Sequence, residues 1–220
     1  MSVRSGFEKD MEQLHLRIIR LGGLVEEAIN KSIASFEKYD HDLAQTVIND
    51  DKQIDDLERE VEAQCMRLLL RQQPVAKDLR AISAALKIVS DMERMGDHAT
   101  EIAEISQRLR KPPSLPLLDH IPLMAHLAES MVKDSVNAYV HNDMALSHSV
   151  IERDDEVDQL FRKIQEEIIA LLVQNKDDAD ETIDLLMIAK YIERIADHAE
   201  SVADWVIFFL TGSLKNKPII

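Results

Sequence analysis

From position 7 to position 38 apolar residues recur every three or four positions, the period of a helix with one buried face, and the period resumes at 42–72 and 75–110. Tyr39-Asp40-His41-Asp42 breaks the first pair as a turn, with Asp42 placed to cap the second helix, while Gly22-Gly23 is a point where the first helix loosens. Interior proline breaks helices, so Pro74 and then Pro112, Pro113, Pro116 and Pro122 mark the larger boundaries, with 111–116 as a linker. Beyond it the plan recurs: a helix ending near Tyr139, a turn at His141-Asn142-Asp143, a helix to 175 and a last one over 180–211. Six long helices and no strand pattern make this an all-α chain.

The recurrence is a duplication. Aligning 86–104 with 186–204 gives eight identities in 19 (Leu86, Ile88, Glu93, Arg94, Asp97, His98, Ala99 and Ala103), where chance gives about one. Tyr39 aligns with Tyr139, Asp42 with Asp143 and Asp51 with Asp154, the offset drifting between 100 and 103 as turns gain residues. Two three-helix bundles in tandem follow, over 1–112 and 113–220.

Composition removes several functions. Asp and Glu number 41 against 26 Lys and Arg, a formal charge of -15, which opposes nucleic-acid binding because phosphate contacts need clustered cations. The longest apolar runs, 168–173 and 205–210, are six residues each against the roughly 20 of a membrane span. A single Cys65 and an N-terminus without a signal-peptide core fit the cytosol.

The candidate chemistry lies where acids interrupt apolar seams. Positions Val47, Asp51, Ile54, Glu58, Val61, Cys65 and Leu68 form the seam of the second helix, and its counterpart runs Val150, Asp154, Val157, Phe161, Ile164, Ile168, Leu171. An acid on a half-buried seam is costly unless compensated, yet Asp51-x-x-x-Asp55 and Asp154-x-x-x-Asp158 add a second carboxylate one turn on. The third helices repeat this as Glu93-x-x-x-Asp97 and Glu193-x-x-x-Asp197, with Gly96 and Ala196 leaving room beside the acids. Packed together, the two helices of each unit gather four carboxylates, which requires cations or protons. Such oxygen-only donors suit magnesium, manganese, calcium or iron, and zinc also accepts them. The alternative is half-exposed acids paired with basic residues. Arg94 and the equivalent His98 and His198 project toward the far side of their helices, as surface residues. There is no Glu-x-x-His pair of helices, Gly-rich phosphate loop, nucleophile elbow or paired-cysteine motif, and 205–210 reads as core at a helix end.

The strings QQPVAKDLR at 72–80, ALKIVSDMERMGDHA at 85–99 and AKYIERIADHA at 189–199 resemble the PhoU family of phosphate-uptake regulators, and the resemblance spans the chain. It implies two three-helix bundles and multinuclear metal clusters (iron, zinc, manganese or magnesium) on Asp51, Asp55, Glu93 and Asp97 and on Asp154, Asp158, Glu193 and Asp197. It also implies a negative regulator rather than an enzyme, acting when phosphate is ample. The implied partners are the ATPase subunit of the phosphate ABC transporter and a phosphate-sensing histidine kinase, with a homodimer left open and the membrane approached through partners only. Ala196 in place of glycine, and no second copy of QQP, depart from strict repetition. A carboxylate-bridged metalloenzyme and a metal-free helical scaffold remain the alternatives.

Overall fold

The computed structural model describes residues 3–72, 74–110, 112, 120–174, 179–215 and 217–218. Most of the expected linker, and with it the expected boundary between units, lies outside these residues. Six helices follow in order: α1 (Val3–Lys38), α2 (His41–Gln72), α3 (Ala76–Arg108), α4 (His120–His141), α5 (Met144–Gln174) and α6 (Ala179–Thr211). Helices α1, α2 and α3 pack against one another, as do α4, α5 and α6, so the tandem three-helix plan holds. α1 runs unbroken through Gly22, which instead marks a close approach: a Cβ there would lie 2.8 Å from Val136 Cγ1 on α4.

The turn register differs from the sequence alignment. Tyr39 and Asn142, with φ of 53° and 54°, take the left-handed place after α1 and α4. Asp40 N–H donates to Ser35 O, and Asp143 N–H to Ala138 O, both at 2.9 Å, as in a Schellman turn. The caps of α2 and α5 are therefore Asp40 and Asp143, whose carboxylates accept from Leu43 N at 2.9 Å and Leu146 N at 3.0 Å. Asp42 lies in the first turn of α2 instead, and the structural partner of Tyr39 is Asn142, three residues past the identity match.

The halves join through α3 against α6 and α1 against α4. Asp91 on α3 accepts from His198 (2.9 Å) and Ser201 (2.7 Å) on α6, while Arg108 pairs with Asp184 at 3.5 Å, so the two helices run antiparallel. The same register is mirrored: His98 stacks on Tyr191 with centroids 5.5 Å apart. Positions 91 and 191 thus each meet the other half's histidine, an approximate two-fold. One continuous core crosses this junction, from Ile18, Val25 and Ile88 to Met131, Ile192 and Val206. Trp205 and Phe208 pack into it, as expected of core at a helix end.

One feature escaped the all-α pattern: after Gly212 (φ 82°) a two-residue antiparallel hairpin pairs β1 (Ser213–Leu214) with β2 (Lys217–Pro218). Among the described residues no helix is long and apolar enough to cross a membrane.

Candidate metal centres

The first centre forms beside a close approach of α2 and α3. Gly96 permits that approach: a Cβ built on it would sit 2.9 Å from Ile54 Cδ1. On either side of this contact α2 presents Asp51 and Asp55, and α3 presents Glu93 and Asp97. Carboxylate oxygens of Asp51, Asp55 and Asp97 all lie within 4.8 Å of one another, and each side chain is half-buried. Thr100 donates to Asp51 at 3.0 Å. Glu93, 19% exposed, is pushed up to about 7, first by burial and then by the charges of Asp97, Glu58 and Asp55. Burial also raises Asp51, Asp97 and Glu58. Two cations answer these five acids: Arg59 pairs with Asp55 at 3.2 Å, and Arg94 with Asp97 at 3.2 Å and Glu93 at 3.6 Å.

The second centre repeats the scaffold with different fittings. Asp154 is pushed up to about 7 by burial and by the neighbouring Glu200, Asp197, Asp158 and Glu193. Burial likewise raises Asp197 and Glu200. Arg162 reaches Asp158 at 3.5 Å. Lys190 pairs with Glu193 and lies 5.2 Å over the ring of Phe161. Among the described residues no trio of the second centre closes to the spacing seen in the first.

All eight acids expected from the repeat therefore stand on paired helix faces, but the structure draws only Asp51, Asp55 and Asp97 of the first unit tightly together, with Glu93 beside them. Two carboxylates belong to the centres that the paired motif did not include. Glu58 on α2 has Phe161 as its counterpart, and Glu200 on α6 has Thr100, so the fifth acid has moved from one helix to the other between units. Its signal was present in the seam, where Glu58 was the second acid. Two orientations differ from expectation. Arg94 folds back over the acids of its own helix. His98 and His198 face neither solvent nor the acids: they meet at the α3–α6 junction, ring centroids 5.6 Å apart. Burial there pushes His98 down to about 4.

The donor set is oxygen only. Cys65 is fully buried with its thiol pushed up to about 12, so it supplies no thiolate. Cation–oxygen bonds of about 2.0–2.6 Å let one ion bridge oxygens roughly 4–5 Å apart, which matches the spacing of Asp51, Asp55 and Asp97. Acids outnumber bases at both centres, and burial together with this excess of like charge pushes Glu93 and Asp154 up to about 7. A hard cation fits this arrangement by supplying the positive charge that the buried carboxylates lack.

Comparison with known proteins supplies the family context. The model of the PhoU domain matches residues 18–106 and 121–206. A Clostridium acetobutylicum protein named phosphate-specific transport system accessory protein PhoU homolog is 37% identical over 95% of this chain and 96% of its own. An Aquifex aeolicus protein of the same name is 38% identical over 84% of each. The crystal structure of PhoU from Pseudomonas aeruginosa superposes with a TM-score of 0.89 at 30% identity, covering 94% of this chain and 100% of that one. That of the phosphate transport system regulatory protein PhoU from Streptococcus pneumoniae gives 0.87 at 27% identity, over 94% and 98%.

Proposed function

The chain belongs to the PhoU family, and from that premise we propose that it is an accessory regulator of phosphate uptake that silences phosphate-starvation genes when phosphate is ample. It acts as a cytoplasmic adaptor between the ATPase subunit of the phosphate ABC transporter and a phosphate-sensing histidine kinase, and it is not an enzyme. Each unit, 1–112 and 113–220, carries one cation centre, on Asp51, Asp55, Glu93 and Asp97 and on Asp154, Asp158, Glu193 and Asp197. Glu58 and Glu200 supply the fifth acid of each.

The observation that carries this reading is the pair of carboxylate clusters at equivalent places of a duplicated chain whose relatives bear the name of a phosphate transport accessory protein. A bound iron, zinc, manganese or magnesium ion would supply the positive charge that these acids lack. The residues themselves do the rest: α2 and α3, or α5 and α6, hold the carboxylates apart on a rigid core, Thr100 orients Asp51, and Arg59, Arg94, Arg162 and Lys190 set how negative each face remains. Partners then read faces whose charge depends on ion loading. Deleting the gene in cells grown with ample phosphate is expected to raise a phosphate-starvation reporter, and restoring the wild-type chain to lower it again. An unchanged reporter would overturn the regulatory reading.

A further inference from the structure

Each centre sets five acids against two paired cations, Arg59 and Arg94 in the first and Arg162 and Lys190 in the second. The charge count is therefore equal, and the difference lies in placement. Arg59 and Arg94 have side chains 66% and 59% exposed, so they stand at the rim of the first centre. Lys190 is 38% exposed and pairs with Glu193, which is only 12% exposed. Two equivalent positions create this arrangement. Phe161 stands on α5 where α2 has Glu58, and Lys190 stands on α6 where α3 has the exposed Ser90. Between the units an acid has given way to an aromatic face and a hydroxyl to a base, and the two new side chains meet: the Lys190 ammonium lies 5.2 Å over the Phe161 ring.

A lysine three residues before a glutamate on a solvated helix face contributes little. Here the ring beneath it and the burial of Glu193 hold the ammonium on the carboxylate. An ammonium is a compact point charge, unlike the planar guanidinium that must stay at a rim, so it meets the carboxylate oxygen as a hard cation does. An ion bound through Glu193 has to displace it. Nothing comparable stands on the first centre. Arg94 lies 3.6 Å from Glu93 and reaches Asp97 as well, and the oxygens of Asp51, Asp55 and Asp97 still lie within 4.8 Å of one another. A second lysine bears on the second centre: burial raises Glu200, and the charge of Lys215, which pairs with Asp204 at 3.5 Å, opposes that rise.

We infer that Lys190 is a tethered counter-cation of the second centre, seated on Glu193 until an ion displaces it, so that the two centres load in order, the first before the second. The inference rests on the cation centres proposed above. It is tested by calorimetric titration of the metal-free full chain with manganese(II) alone, the free ion being followed by electron paramagnetic resonance. Binding falls into two phases separated by about 10-fold or more. Asp51→Asn with Asp55→Asn removes the tighter phase, and Asp154→Asn with Asp158→Asn removes the weaker. Lys190→Ser, which installs the residue of the first unit, tightens the weaker phase about 10-fold and leaves the tighter one unchanged. Lys190→Met, which keeps the stem over Phe161 and removes the charge, does the same. Arg162→Met takes an equal charge from the rim and changes the weaker phase by about 2-fold or less. All these variants keep the wild-type helical spectrum, because the substituted side chains are partly or largely exposed. Equal affinities in the wild type, a weaker phase that neither Lys190 variant tightens, a gain from serine that methionine does not give, or an equal gain from Arg162→Met each overturns the inference while the cation centres stand. Manganese binding at neither centre, in the wild type and in the Lys190 variants alike, removes the cation centres and the inference with them.

Discussion

Gly96 and Ile54 meet at the point where the two helices of the first centre touch, and the equivalent positions in the second unit carry Ala196 and Val157, both fully buried. The second unit has one methyl more on α6 and one methylene fewer on α5, a volume-conserving exchange. Gly96→Ala alone therefore destabilises by about 1 kcal/mol, overpacking against Ile54 outweighing the helix-propensity gain. Adding Ile54→Val makes the double variant more stable than either single one, with a coupling of about 1 kcal/mol readable in denaturant titrations. Additive effects would show that the contact is not what spaces the helices. The acids beside it predict a pH dependence. Glu93 and Asp154, both pushed up to about 7, take up protons on folding, so their contribution is complete below the ordinary carboxyl range and is lost as pH climbs to 7. The ion-free protein melts several degrees lower at pH 8 than at pH 5, and Glu93→Gln or Asp154→Asn narrows the gap; melting curves that the substitutions do not shift contradict the assignment.

The helices themselves were legible to within a few residues, because long amphipathic stretches punctuated by proline leave little freedom for alternatives. Turn detail was less so. Identity alignment paired Asp42 with Asp143, whereas the backbone pairs Asp40 with Asp143, since a left-handed residue before the cap is a geometric requirement that Tyr39 and Asn142 meet with different side chains. Asp40→Ala and Asp143→Ala should each cost about 1 kcal/mol, and Asp42→Ala clearly less; equal losses at 40 and 42 would reverse the cap assignment. The eight motif acids were legible from the repeat and Glu58 stood out as the second acid of its seam, but Glu200 was not legible, because the fifth carboxylate changes helix between units and leaves no matched pair to find. His98 and His198 were misplaced for another physical reason. The azimuth that is outward from one three-helix bundle is inward once a second bundle packs on α3, a fact that no single helix encodes.

At the scale of the molecule the two units are bonded into one body by a core that crosses the α3–α6 junction and by Asp91, 17% exposed, which accepts from both His198 and Ser201. Heating should therefore give one calorimetric transition, and Asp91→Ala, which leaves two donors without their acceptor, should lower stability by about 1–3 kcal/mol. Two separate transitions in the wild type would mean that the bundles fold independently. The same architecture places the two carboxylate centres on either side of the junction, and under the proposed function ion loading there would change the charge of both faces that partners meet. The most direct test of that claim is elemental analysis by mass spectrometry of protein purified without chelators or a metal-binding tag, beside the Asp51→Asn, Asp55→Asn, Glu93→Gln, Asp97→Asn variant. The account predicts near-stoichiometric metal in the wild type, and partial loss in a variant that keeps its helical spectrum, the second centre retaining its share. Protein that carries no metal and takes none up on titration with iron, zinc, manganese or magnesium would contradict it.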